Sequence, residues 1–407
     1  MNSIQIGWID YSSEHRKTVL AVLQSMTTPG AVDEIGIGQI RDGFANRLFP
    51  GTSTIQTRAK YFFIVPYILM DLEKQKIVDS KAMRQKLNDI ELELINPLKK
   101  SAEKRDEVGI IGETAGKKLK RKPSDIYWNG LRIFGFFKYP HLSLDEYVRG
   151  VCVLNQESQS YKSFGSLGES GYSDDPDASQ DLLSGRFWRC LLPSENWQKD
   201  ISIHLTRDEA VYLRERIRKS PHSKDSLLAF LLKTSSDVNI ASAKFETLGH
   251  EMDLPSKLKS EYELAKRFSD FIYGATLRYN IILYDGQNPK ANKLWQEWCD
   301  SAFVARAFSG YNTSEAMDYL QIHNMRLKLF LVQWKEAFLS GNTDEMDTLI
   351  MQREIELKGR ERAKLSNPDL VVQKEGKGLL GDKLNYRFGN AKVLISDIFT
   401  GLESGHA

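Results

Sequence analysis

Apolar residues recur three and four positions apart along most of this chain, a period that suits α-helices and little else. Ile37, Ile40, Phe44 and Leu48 make one such stripe, with Arg41, Asp42 and Arg47 turned outward. The same period carries ELAKRFSDFIYGATLRYNIILYD, NKLWQEWCDSAFVARAF and MDYLQIHNMRLKLFLVQWKEAFLS, each with an aromatic stripe. Ser12 or Ser13 is placed to cap an earlier helix, with Val19, Leu20, Val22, Leu23 and Met26 behind it, and TTPGAVDE ends it. Further helices are predicted from about Asp33, over 54–76 with a kink at Pro66, and over 80–106. TRDEAVYLRERIRK opens with Thr206 as cap and Glu209 at the capping-box position.

The period vanishes in 156–185, where Ser, Gly and Asp dominate. A segment of that composition cannot bury enough apolar surface to order itself, and it makes the best domain boundary in the chain. The predicted fold is mainly α: a helical domain over 1–154, a linker or exposed loop over 155–186, and a second helical domain over 187–407. Short strands fit near 202–205 and 370–372. No internal repeat and no heptad seam of coiled-coil length is present.

Of 407 residues, 41% are hydrophobic and 27% charged, an ordinary globular balance. The net charge of +2 gives no chain-wide field to attract a polyanion. Residues 1–150 carry 23 Lys/Arg against 18 Asp/Glu, so a nucleic-acid footprint belongs there. Cys152, Cys190 and Cys299 stand far apart with no CxxC pattern, which fits a reducing cytoplasm and argues against a zinc site or a disulfide framework. No secretion signal is expected from MNSIQIGWIDYSSEHRK. The longest apolar run, 61–70, has ten residues, half of what a membrane span needs.

Several catalytic signatures nearly form, and each lacks a required group. GETAGKK (112–118) is one residue short for a P-loop and has Lys118 where a Mg²⁺-binding hydroxyl belongs. GKGLLG (376–381) has no room after it for a βαβ unit. HEMDL has Leu254 in place of the second zinc-binding His. HSK (222–224) resembles a phospholipase-D-type phosphotransfer motif but has Ala229 where that motif needs Asp. ELK (356–358) matches the end of a restriction-type nuclease core but lies in the charged helical run QREIELKGRERAK. No cofactor and no metal is expected.

Two stretches remain. FPGTSTIQTRAKYFF (49–63) reads as an anion cradle, with Gly51 admitting close backbone approach and Thr52, Ser53, Thr54, Thr57, Arg58 and Lys60 around it. The same residues also read as a capped helix start, with Thr52 or Ser53 as the cap. In GIIGETAGKKLKRKPSDIYWNGLRIFGFFK (109–138), Lys117, Lys118, Lys120, Arg121 and Lys122 precede an aromatic-anchored helix, an arrangement that suits a phosphate backbone. A solvated basic loop is the plainer reading of those cations. KEGKGLLGDKLNYRFGNAK adds five Lys/Arg, either as a second contact or as a closing loop and last helix packed through Tyr386, Phe388, Val393, Leu394 and Ile398.

GWIDYS, the stretch 33–68 containing FPGTSTIQTRAKYF, GIIGETAGKKLKRKPSDIYWNGLRIFG, LTRDEAVYLRERI, RERAKLSNP and LNYRFGNAKVLISDIFTGL together resemble an uncharacterised bacterial family known only as a domain of unknown function. The resemblance spans nearly the whole chain. It implies a cytoplasmic bacterial protein whose relatives are encoded near helicases and phospholipase-D-like nucleases in anti-phage defence islands. It brings no catalytic residues with it.

The leading functional expectation is a non-catalytic accessory subunit of a multi-gene anti-phage system. It would bind DNA through the basic loop and dock a helicase or nuclease partner by its C-terminal helices. A second expectation is an enzyme acting on a nucleotide or phosphodiester, with Thr54, Thr57, Arg58 and either Asp42 or Glu113 in a pocket. A third is a purely protein-binding scaffold. Neutralising about five phosphates gives a slope of log affinity against log salt of about −4 to −5, so binding by this chain alone would be weak at physiological salt.

Overall fold

The computed structural model describes residues 33–103, 108–165, 187–234, 240, 242–367 and 379–404. The fold is mainly helical. Among the described residues the only β pairing is an isolated antiparallel bridge between Phe137 and Trp188. The strand expected at 202–205 does not form: this stretch is irregular, and Ile203 and Leu205 are buried as loop residues. The positions 370–372 and the helix expected behind Ser12 or Ser13 lie outside the described residues.

Two compact units are built from interleaved segments. The first takes residues up to Gln39, Gly274–Thr313 and Asn324–Gly381. Its core includes an antiparallel pair, the helices Met325–Ser340 and Thr343–Lys358. Gly341 turns the chain between them at φ +67°, and Asn342 caps the second helix by accepting from the Asp344 and Glu345 N–H groups. Trp298, Phe308, Trp334 and Phe338 interlock beside that pair. A buried polar knot lies in the same unit. Glu34 meets Lys358 and, at 2.7 Å, Lys364, while the Tyr279 hydroxyl reaches both Glu34 and Glu354. Loss of solvent pushes the Lys358 ammonium down to about 8.

The second unit takes Ile40–Tyr273, Ser314–His323 and Asp382–Ala407, so it includes residues on both sides of 155–186. Its central helix, Tyr61–Lys74, buries Tyr61, Phe62, Phe63, Ile64 and Val65 in succession and continues through Pro66. This helix starts seven residues later than the sequence predicts, because 54–60 is turn and irregular chain. The helix placed at Asp33 starts at Gly38, and Asp33 instead accepts from the Ile37 and Gly38 N–H groups at 2.8 and 2.5 Å. Its stripe of Ile40, Phe44 and Leu48 is buried as expected. The run 80–106 divides into Ser80–Glu93 and Ile95–Glu103. Leu144–Gly165 carries helix into the first residues of the expected linker. The last helix, Phe388–Glu403, lies along Arg207–Lys219. It buries Phe388, Leu394 and Ile398, but Val393 faces out at 39% exposure.

One close approach decides how the Tyr61 region is assembled. Gly51 lies at φ +74°, where a side chain would be strained, and an added Cβ would meet the Phe134 ring at 2.7 Å. Gly130, on the helix Pro123–Ile133, lets that helix come against the same loop. A Cβ there would sit 2.6 Å from the Gly51 carbonyl oxygen and 2.6 Å from the Phe62 ring. Gly130→Ala is therefore expected to destabilise the unit by about 1–3 kcal/mol, as overpacking does. Gly150→Ala, in a helix with nothing near the new methyl, should be neutral or stabilising. Thermal unfolding of the two variants checks this; equal midpoints would remove the close-approach argument.

Candidate nucleic-acid interface

The two stretches singled out by sequence meet in the second unit. Tyr127, from the helix after the basic loop, inserts its hydroxyl into the loop before Tyr61. It accepts from the Thr57 N–H at 3.0 Å and donates to the Arg58 carbonyl at 2.8 Å. The Tyr61 hydroxyl accepts from the Ile111 N–H at 2.9 Å, and Arg58 donates to the Val108 carbonyl at 3.3 Å. Burial pushes both phenols up, so they remain neutral hydrogen-bonding groups.

Within 49–60 the polar groups face one another and their own unit. Thr52 is buried and its hydroxyl donates to the Phe49 carbonyl at 2.6 Å. Gln56 closes the turn, donating to the Gly51 carbonyl and accepting from the Ser53 N–H. Ser53 Oγ and Thr57 Oγ1 are enclosed with no hydrogen-bond partner among the described residues, and Thr54 is exposed. Arg387 and Asn390, at the start of the last helix, donate to the Thr52 and Gln56 carbonyls at 2.9 Å each.

Both cations of the stretch have carboxylate partners. Arg58 lies on Asp397 at 2.9–3.1 Å, and the same carboxylate accepts from the Ala59 N–H at 2.7 Å. Lys60, 8% exposed, lies on Glu209 at 2.6 and 2.7 Å. Glu209 also accepts from the Tyr67 hydroxyl and from the Thr206 N–H, so the capping box read from sequence is present and has a second task. Neither Asp397 nor Glu209 is marked as a site residue by any sequence motif. Asp397 shows only as a lone carboxylate in the apolar run LISDIF, and Glu209 only as a cap.

The basic loop differs. Ile110 and Ile111 are buried, and Gly112 takes φ +85° with Ile95 and Leu119 packed close against it. The chain then turns through Gly116–Lys118 and enters the helix Pro123–Ile133. Lys117, Lys118, Lys120 and Arg121 are exposed and have no side-chain partner among the described residues. Lys122 is half-buried and donates to the Leu119 carbonyl at 2.5 Å. The carboxylate in the following turn, Asp125, is held by Arg84 at 2.5 Å.

The start of that helix is already occupied by a protein carboxyl group. Glu91, 3% exposed, accepts from the Ser124 N–H at 2.5 Å and from its hydroxyl at 3.1 Å. Burial pushes its carboxyl up to about 8, against the pull of those donors. The contact offered to an anion is thus made by side chains, not by helix N–H groups.

Of the nearly formed catalytic motifs, GKGLLG begins at 376–378, outside the described residues. ELK lies on the helix Thr343–Lys358, in keeping with its reading as a charged helix. His250 is exposed on the short helix Leu248–Glu251. Among the described residues no group of three His, Cys, Asp or Glu is placed to hold a metal ion. Burial pushes the thiols of Cys152, Cys190 and Cys299 up, away from nucleophilic use. No described helix is long and apolar enough to cross a membrane.

The described residues form a mainly helical protein with an exposed cationic loop at 117–121. Residues 3–305 match the family of unknown function DUF6361, and the chain belongs to that family. Searches of curated proteins and of solved structures gave no significant match.

Proposed function

We propose that this protein is a non-catalytic accessory subunit that binds DNA through the loop 117–122, within a multi-gene anti-phage system of the kind the sequence resemblance implies. The supporting observation is the set of four exposed cations, Lys117, Lys118, Lys120 and Arg121, on a turn that follows Ile111 and Gly112, which are held by the Tyr61 hydroxyl and packed on Ile95. Cations with no carboxylate partner are free to meet phosphates, and they release condensed counterions in doing so. Docking of a helicase or nuclease partner falls to the C-terminal helices. Met325, Leu329 and Leu339 support that assignment, being 77%, 57% and 52% exposed on one face of the helix Met325–Ser340.

The test is duplex binding by purified protein across a salt series. Four phosphate contacts give an expected slope of log affinity against log salt of about −3 to −4. Changing Lys117, Lys118, Lys120, Arg121 and Lys122 together to Ala should flatten that slope and lower stability by no more than about 1 kcal/mol, through loss of the Lys122 bond to the Leu119 carbonyl. Absence of binding at low salt, or an unaltered slope in the variant, would sink the DNA reading.

A further inference from the structure

Away from the basic loop, the second unit holds a groove of about 760 Å³ bordered by 218–233 and the start of the helix Ser256–Leu283. Six Lys/Arg line it against three carboxylates. Glu215 takes up Arg218 at 2.8 Å and Lys219 at 2.9 Å, and Glu261 takes up Arg47. Lys224, Lys233 and Lys257 are exposed and have no ion-pair partner among the described residues. They stand against one unpaired carboxylate, Asp225. The groove therefore keeps a local positive excess that the net charge of the chain conceals.

Three features narrow the ligand. The volume falls within the range of small-molecule sites, about 300–1,000 Å³. Phe230, one turn before Lys233, and Leu258, next to Lys257, put apolar surface beside the cations. His222 of the HSK stretch lines the groove with Lys224 and with Ala229, the position that lacks the motif's aspartate. Lys224 supplies a cation there and no carboxylate stands at 229, which favours binding over turnover.

We propose that this groove binds the polyphosphate group of a small ligand, either a nucleoside triphosphate or an inorganic polyphosphate. The site is separate from the DNA loop and does not depend on it. Calorimetric titration of the full chain with ATP and with inorganic tripolyphosphate tests the idea and separates the two sources. Tighter binding of ATP identifies the nucleotide, and equal binding identifies the bare polyphosphate.

Lys224, Lys233 and Lys257 changed together to Ala should weaken binding at least tenfold. All three are exposed, so the unfolding midpoint should hold. The five-residue loop variant should bind polyphosphate as the wild type does. No binding of either probe, or equal binding by wild type and the triple variant, would overturn the proposal. So would a triple variant that loses duplex affinity while neither small probe binds, because the groove would then be a DNA contact.

Discussion

Glu209→Ala is expected to cost about 3–5 kcal/mol of stability, the range for removing one partner of a buried ion pair. The substitution leaves the Lys60 ammonium at 8% exposure without its counter-charge. It also removes the acceptor for the Tyr67 hydroxyl and for the Thr206 N–H that opens Arg207–Lys219. Replacing Lys60 and Glu209 together by Met and Leu should cost far less, since the pair's desolvation largely offsets its attraction. Urea unfolding of the single and double variants measures the difference. A single-variant cost below about 1 kcal/mol would mean that Lys60 finds water or another partner.

The second large effect is a dependence of stability on pH carried by two buried carboxyls. Glu91 is pushed up to about 8. Glu73 is pushed up to about 7, chiefly by burial, against hydrogen bonds donated by Tyr147 and, at 2.9 Å, by Trp188 Nε1. A carboxyl whose folded value is raised holds its proton in the folded state after the unfolded chain has lost it. Stability is then fully present below about pH 4.5 and is lost as pH rises through about 7 for Glu73 and 8 for Glu91. At about 1.4 kcal/mol per pH unit the losses reach about 3 and 5 kcal/mol. Glu73→Gln and Glu91→Gln keep the shape and remove the titration. Relative to each variant, the wild type should weaken from pH 5 to pH 8.5. A constant difference across that window would show that these carboxyls are ionised in the fold.

The helices were legible because their signal is local. Ile40, Phe44 and Leu48 fall on one face by spacing alone, and that face is buried. The same rule separates Val393, which lies about 100° around the helix from Leu394 and is exposed while Leu394 and Ile398 are buried. The loop 49–60 was less legible. Its cations face carboxylates 339 and 149 residues away, and its backbone is received by a missing side chain at Gly130. No local pattern announces either fact. The basic loop was legible as a charge run, but the single cation drawn inward, Lys122, could be told from its neighbours only in three dimensions.

The assembly around Arg58, Lys60, Asp397 and Glu209 changes how experiments in living cells should be interpreted. The most recognisable stretch of the sequence is a natural first choice for loss-of-function substitutions. Its side chains hold the last helix and Arg207–Lys219 to the Tyr61 region, so such substitutions act first on folding. A loss of one or two kcal/mol can lower the amount of protein in a cell severalfold through proteolysis. A null phenotype at Arg58 or Lys60 would therefore report abundance unless steady-state levels are measured beside it. The exposed lysines of 117–120, which have no side-chain partner among the described residues, are where phenotype and chemistry can be separated.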